Sequence, residues 1–89
     1  MASAKDLFIF SAEWCPNCVQ LKNAIEKDPA LVVGFDVLLI DIDAEPELAK
    51  VYDVKAIPVL IVLEPNGKLR RKIGFTNSAD LKKWLKTTN

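Results

Sequence analysis

Leu7-Phe8-Ile9-Phe10-Ser11-Ala12-Glu13-Trp14-Cys15-Pro16-Asn17-Cys18 is the stretch on which the fold turns. Leu7 to Phe10 is a compact apolar run that reads as a buried strand. Glu13-Trp14-Cys15-Pro16 then opens a helix, because proline in a first helical turn lacks only an N–H that would be unpaired anyway. Cys18, Leu21 and Ile25 recur at helical spacing. Asp28-Pro29 ends the helix, since the residue before proline disfavours the helical basin. Two cysteines thus stand at a strand-to-helix junction, three positions apart, where they face the same side and can close a small disulfide ring. Cys15 lies at the helix N-terminus, where unpaired amides and the helix dipole favour a thiolate, so it reads as a nucleophile of lowered pKa. Cys18, one turn inside and more buried, reads as the resolving thiol.

Working outward, Val37 to Ile42 is a second strand with four consecutive apolar residues at its centre. Asp43 is the expected N-cap of a short helix that starts near Pro46 and carries Leu48, Val51 and Tyr52. Val59 to Leu63 is a third strand. Glu64-Pro65-Asn66-Gly67 is a turn, with proline pre-setting one dihedral and Asn-Gly supplying positive φ. Lys68 to Ile73 alternates as a partly exposed fourth strand. Asn77 or Ser78 caps a last helix with Leu81, Trp84 and Leu85 as its buried stripe. The order β-α-β-α-β-β-α makes the first two strands parallel with a right-handed crossover and the last two antiparallel. The expected fold is α/β: a four-stranded mixed sheet flanked by three helices, forming one domain over residues 1–89.

Composition narrows the function. The chain has 89 residues, two cysteines and no histidine, with 12 acidic and 12 basic side chains; 51% of its residues are hydrophobic. Without histidine there is no Ser-His-Asp triad, no Cys-His dyad and no His-ligated metal. Zinc wants about four ligands and only two cysteines exist, so no metal is expected. Zero net charge argues against a nucleic-acid partner. The four-residue apolar run near the start is shorter than the roughly 7 to 15 residues of a secretory core and the ~20 of a membrane span. The expected compartment is therefore the cytoplasm, where a close cysteine pair points to catalysis rather than structure. The charges are unevenly spread: residues 1–45 hold three bases and eight acids, residues 46–89 nine bases and four acids. Lys68, Arg70, Arg71 and Lys72 are the densest basic stretch, read either as a solvated strand face or as a docking patch.

Ala12-Glu13-Trp14-Cys15-Pro16-Asn17-Cys18 resembles the active-site segment of the thioredoxin family. The resemblance continues through Asp41-Ile42-Asp43, Ala56-Ile57-Pro58 and Ile73-Gly74-Phe75 to Leu81-Lys82-Lys83-Trp84-Leu85, nearly the whole chain from Leu7 onward. It implies a thioredoxin-like fold and dithiol–disulfide exchange at Cys15 and Cys18, without an organic cofactor. It also implies a cis peptide before Pro58, lying against the cysteine pair, with Ile57 offering its backbone to a substrate peptide and Gly74 bordering the same groove. Trp14 is either core packing or a partly exposed wall beside the disulfide; Phe75 is either core or an apolar rim. Implied partners are proteins containing disulfides and a recycling enzyme of the thioredoxin-reductase type, or glutathione, acting on a monomer.

Three departures from the family pattern stand out. The chain is too short for the usual additional N-terminal strand and helix, which leaves Val37 to Ile42 as a sheet edge. Ile9 occupies the position of the family's buried acid, and Leu39 that of its lysine neighbour. The proton of Cys18 then leaves by water, by a nearer acid such as Glu13, or slowly. Pro16-Asn17 replaces the usual Gly-Pro, the pair that borders the substrate and tunes the redox potential. Proline directly after the nucleophile is similar to glutaredoxin, so a glutathione-dependent enzyme is the rival reading, and a non-catalytic binding subunit a second one.

Overall fold

The structure, a computed structural model, describes residues 5–87. Its elements run β1 (Lys5–Ser11), α1 (Pro16–Lys27), a 3-10 helix (Pro29–Val32), β2 (Phe35–Asp41), α2 (Pro46–Val51), β3 (Val59–Leu63), β4 (Leu69–Ile73) and α3 (Ser78–Thr87). The four strands form one mixed sheet in the order β2-β1-β3-β4. β1 and β2 are parallel, with Ile9 opposite Leu39 and Ser11 opposite Asp41. β1 and β3 are antiparallel, with Phe10 opposite Val59, and β3 pairs antiparallel with β4, setting Val59 against Ile73. This is the four-stranded mixed sheet with three flanking helices that the strand and helix order implies.

The period of two along each strand divides the core into two layers. Leu7, Ile9, Leu60 and Val62 project to one face and pack with Leu21 of α1, Leu31 of the 3-10 helix, and Leu81 and Leu85 of α3. Phe10, Val59 and Ile61 project to the other, where Ala49, Tyr52 and Val54 cover them. Tyr52 sets its ring 5.6 Å from Phe10 and 6.0 Å from Phe8, centroid to centroid. Burying these side chains is the main stabilising contribution, on the order of 1.5–3 kcal/mol for each large aliphatic or aromatic residue.

Several local expectations need correction. Asp43 does not cap α2: Glu45 holds the cap position and makes no side-chain cap hydrogen bond. The Asp41 carbonyl instead accepts the amides of Ala44 and Glu45, and the Asp41 carboxylate accepts that of Asp43. That turn leaves the Asp43 carboxylate free to reach elsewhere. Of the apolar residues expected on α2, Leu48 is 37% and Val51 75% exposed, while Tyr52, just beyond the helix, is half-buried and packs on the sheet together with Ala49. Helical period sets this, since Ala49 and Tyr52, three positions apart, share the face toward the sheet. At the C-terminus Asp53 takes a left-handed φ of 55° and the amides of Asp53 and Val54 return to Lys50 and Ala49, a Schellman ending that needs no glycine because a short polar side chain tolerates that conformation.

β2 begins at Phe35, two residues before the expected start, and ends at Asp41. Its central apolar residues are not uniformly buried: Leu38 is 45% and Leu39 58% exposed. A strand at the sheet's edge has one neighbour only, here β1. The basic stretch on β4 is neither freely solvated nor a clear patch. Arg70 pairs with Glu64 at 2.9 Å, Lys72 with Asp80 at 2.8 Å, and the Arg71 guanidinium donates to the carbonyls of Tyr52 and Asp53. Alternation sends these side chains to opposite faces, so each ties β4 to a different element. Asn77 caps α3, its side chain accepting the Asp80 amide at 2.8 Å. Leu81 and Leu85 are buried and Trp84 half-buried. No helix among the described residues is long and apolar enough to cross a membrane.

Candidate active site

The site is built where β1 ends and α1 begins. Ala12 is buried at the end of the strand, and the Cys15 amide donates back to its carbonyl at 3.2 Å, which folds Glu13 and Trp14 outward as a tight turn. Cys15 then sits at the N-cap of α1 in extended backbone, with φ −96° and ψ 108°, and Pro16 supplies the first helical residue. The cap is the thiol itself: Cys15 Sγ accepts the Cys18 amide at 3.2 Å. A sulfur replaces the usual hydroxyl or carboxylate of a helix cap, and any negative charge that forms on it already faces a backbone donor.

Both cysteines are free thiols. Cys15 is 6% exposed and Cys18 fully buried, packed with Ala12 against the half-buried Ile42 and Ile57. Burial, and then the hydrogen bond with Cys15, push the Cys18 thiol up from 9.0 to about 11; the Ala12 backbone and Lys22 pull the other way. A thiolate in an apolar pocket loses its hydration, so the neutral form is favoured there. The two sulfurs therefore differ in what surrounds them. Cys15 is slightly exposed at a helix start, whereas Cys18 is sealed behind it.

The segment before β3 closes the other side. The Ile57–Pro58 peptide is cis. The Cys15 thiol points toward the Ile57 carbonyl, 4.0 Å away, and Pro58 is buried. Gly74 fixes this segment from the far side, its amide donating to the Pro58 carbonyl at 2.7 Å. It does so at a φ of +87°, a left-handed conformation that glycine reaches without steric cost. Trp14 is 65% exposed, which removes the core-packing reading, and its indole Nε1 donates to Asp43 at 2.8 Å. The carboxylate read from sequence as a helix cap is thus the anchor of the exposed tryptophan. No sequence signal showed this pairing, because the two residues are 29 positions apart.

The other expected residues divide. Pro16 is exposed and Asn17 half-buried on the first turn of α1, both beside the thiols in sequence and in space. Phe75 packs against the core cluster of Leu7, Ile9 and Leu81, and lines an open groove with Gln20, Asn23 and Asn77. It is not in the cluster around the cysteines. Ile9 is fully buried in the layer that holds Leu21 and Leu60. Among the described residues, no three side chains of the His, Cys, Asp or Glu types gather as a metal site would require.

Comparison with known proteins shows the family and the fold. A family model described as a thioredoxin-like domain matches residues 2–89. The chain is similar to a thioredoxin of Chlamydia trachomatis, 34% identical over 85 residues that cover 96% of this chain and 83% of that protein. Among solved structures it is similar to thioredoxin-2, described as a component of malaria parasite protein secretion machinery. The TM-score is 0.83 at 28% identity, covering 98% of this chain and 85% of that one. It is also similar to mitochondrial thioredoxin 3 of Saccharomyces cerevisiae in its oxidized form. That TM-score is 0.78 at 27% identity, with 96% and 79% covered.

Proposed function

Since this chain belongs to the thioredoxin-like family, a family of thiol–disulfide oxidoreductases, we propose that it reduces disulfides in protein substrates through a reversible Cys15–Cys18 disulfide. The observation that carries the proposal is the pair of free thiols at the start of α1, with Cys15 Sγ accepting the Cys18 amide. Cys15 attacks one sulfur of a substrate disulfide, forming a mixed disulfide and releasing the first substrate thiolate. Cys18 then attacks Cys15, the second substrate thiolate leaves, and two electrons have passed from the dithiol to the substrate. Greater exposure and the amide donor favour Cys15 as the attacking group; burial suits Cys18 to a step that occurs only after substrate has docked.

In this reading Trp14, Pro16, Asn17, Ile57, Pro58 and Gly74 border the substrate peptide, with Trp14 as an exposed wall held by Asp43. The Ile57 carbonyl lies next to Cys15, which supports its role in meeting the substrate backbone. Phe75 is the weakest member of the set, because its ring packs against the core. The domain extends over residues 1–89, acts as a cytoplasmic monomer and needs neither metal nor organic cofactor. An external reductase of the thioredoxin-reductase type recycles it.

Insulin-disulfide reduction tests the proposal. Wild type is active and Cys15→Ser is inactive; a Cys15→Ser variant with full activity overturns the assignment. Pro16, directly after the nucleophile, favours glutathione as the alternative electron source. Supplying reduced glutathione alone, against thioredoxin reductase with NADPH, separates the two: turnover driven only by glutathione replaces the first reading with the glutaredoxin-like one. A Cys15→Ser variant that loses reduction yet still supports a partner's function establishes a binding role beside the chemistry.

A further inference from the structure

Cys18 has to lose a proton to act, yet its surroundings give that proton nowhere obvious to go. Ala12, Ile42 and Ile57 pack around it, all apolar, and Ile9 in the neighbouring core layer is apolar as well. Among the described residues, the cation that acts on Cys18 is Lys22, which opposes burial and Cys15 more weakly than they act. Lys22 follows Cys18 by four residues on α1, and residues so spaced share a helix face. Its side chain is half-buried and lines a cavity of about 100 Å3 between α1 and β2, together with Ile25, Glu26, Val37 and Leu39. β2 brings only apolar side chains to that wall. The charged groups at this place are therefore Lys22 and the exposed Glu26, both from α1, with Cys15 facing Cys18 from the helix cap.

We propose that Lys22 is a positioning residue for the resolving step, its ammonium stabilising the Cys18 thiolate one helical turn away so that positive charge does the work of a proton-accepting side chain. The inference rests on the reading of Cys15 and Cys18 given above. In the step itself, Cys18 releases its proton to water and its sulfur attacks Cys15 Sγ. The Cys15–Cys18 bond forms as the bond from Cys15 to the substrate sulfur breaks, and the departing substrate thiolate takes a proton from water. The side chain of Lys22 is half-buried, its stem lying along apolar surface. Lys22 already opposes the rise in the Cys18 pKa that burial imposes. An opposite charge acts more strongly in these low-dielectric surroundings than it would in bulk water.

The test follows the ionisation of Cys18 in a Cys15→Ser background, where it is the only thiol, by the ultraviolet absorbance of the thiolate against pH. Lys22→Met is expected to raise the midpoint by about half to one pH unit, while Lys22→Arg leaves it within a few tenths. A Lys22→Met midpoint equal to that of the parent overturns the inference. If Lys22→Met does not fold, the parent protein alone decides: added salt raises the midpoint if Lys22 acts through its charge, and a salt-independent midpoint overturns it. Insulin reduction by the wild-type chain is measured separately. An inactive wild type with a Lys22-dependent midpoint overturns the reading of function and supports the charge effect. An active wild type with a Lys22-independent midpoint overturns this inference alone.

Discussion

Replacing Ile9 by aspartate puts an acid back at the position the family resemblance assigns to one, and the structure sets the consequence for stability. Ile9 is fully buried among Leu7, Leu21, Leu60 and Leu81, opposite Leu39 and Leu60 in the sheet. Removing its aliphatic volume from that layer costs about 2–4 kcal/mol, the range for truncating a buried isoleucine. A carboxyl there stays neutral in the folded state, so its pKa rises above the unfolded value near 3.9. Folded protein then binds a proton that the unfolded chain releases as pH rises. Stability relative to wild type is best below about pH 4 and falls by about 1.4 kcal/mol per pH unit above it, until the folded-state pKa is reached. At neutral pH the titration alone removes up to about 4 kcal/mol. An 89-residue domain has on the order of 4–13 kcal/mol in total, so Ile9→Asp should fold at pH 5 and be marginal at pH 7. Urea unfolding followed by tryptophan fluorescence measures this, with Ile9→Asn as the non-titrating control. Parallel pH profiles for the two variants refute the reasoning, because they mean that the new carboxylate reaches water. In the folded fraction, the carboxylate should speed resolution once pH has passed its raised pKa, if proton removal limits that step; turnover unchanged there rules out the limit.

Two more outcomes follow from the geometry of the site. Burial raises the Cys18 thiol from 9.0 to about 11, so its contribution to stability is complete below pH 9 and disappears as pH climbs toward 11. Reduced wild type should lose about 2–3 kcal/mol more than Cys18→Ala over that interval in urea titrations, and equal slopes refute it. Gly74 has φ +87° with open space where a Cβ would stand, so Gly74→Ala meets backbone strain alone and should lose about 1–2 kcal/mol. A substitution without effect on the urea midpoint means that the left-handed conformation is not required.

The elements legible in the sequence are those whose signal is local. Pro16 and Asp28-Pro29 bracket α1 because proline acts on its own neighbourhood. Val59 to Leu63 is recovered residue for residue, as a central strand covered on both faces reads as a continuous apolar run. The run at Val37 to Ile40 has the same appearance and a different fate. Its place at the edge, as the family resemblance led one to expect, follows from strand order, and the exposure of more than half of Leu39 goes with it. Likewise the sequence shows Leu48, Val51 and Tyr52 alike as apolar residues of one short helix, and only its docking decides that Tyr52 meets the sheet while Val51 stays exposed.

By itself, the sequence determined the identity and spacing of the two thiols proposed to react. Three positions apart at a helix start, they are near neighbours along the chain, and no distant contact is needed to bring them together. Tertiary structure alone decided what surrounds them. Asp43 holds Trp14 from 29 positions away, Gly74 steadies Pro58 across the sheet, and the Ile57 carbonyl faces Cys15 from another crossover. Burial is likewise a property of the assembled core, and it is burial that separates the slightly exposed Cys15 from the sealed Cys18. The missing histidine and the apolar Ile9 were visible from the start. That Lys22 lines a cavity with Val37 and Leu39 emerged only when α1 was laid against β2, because the two elements meet through space and not along the chain.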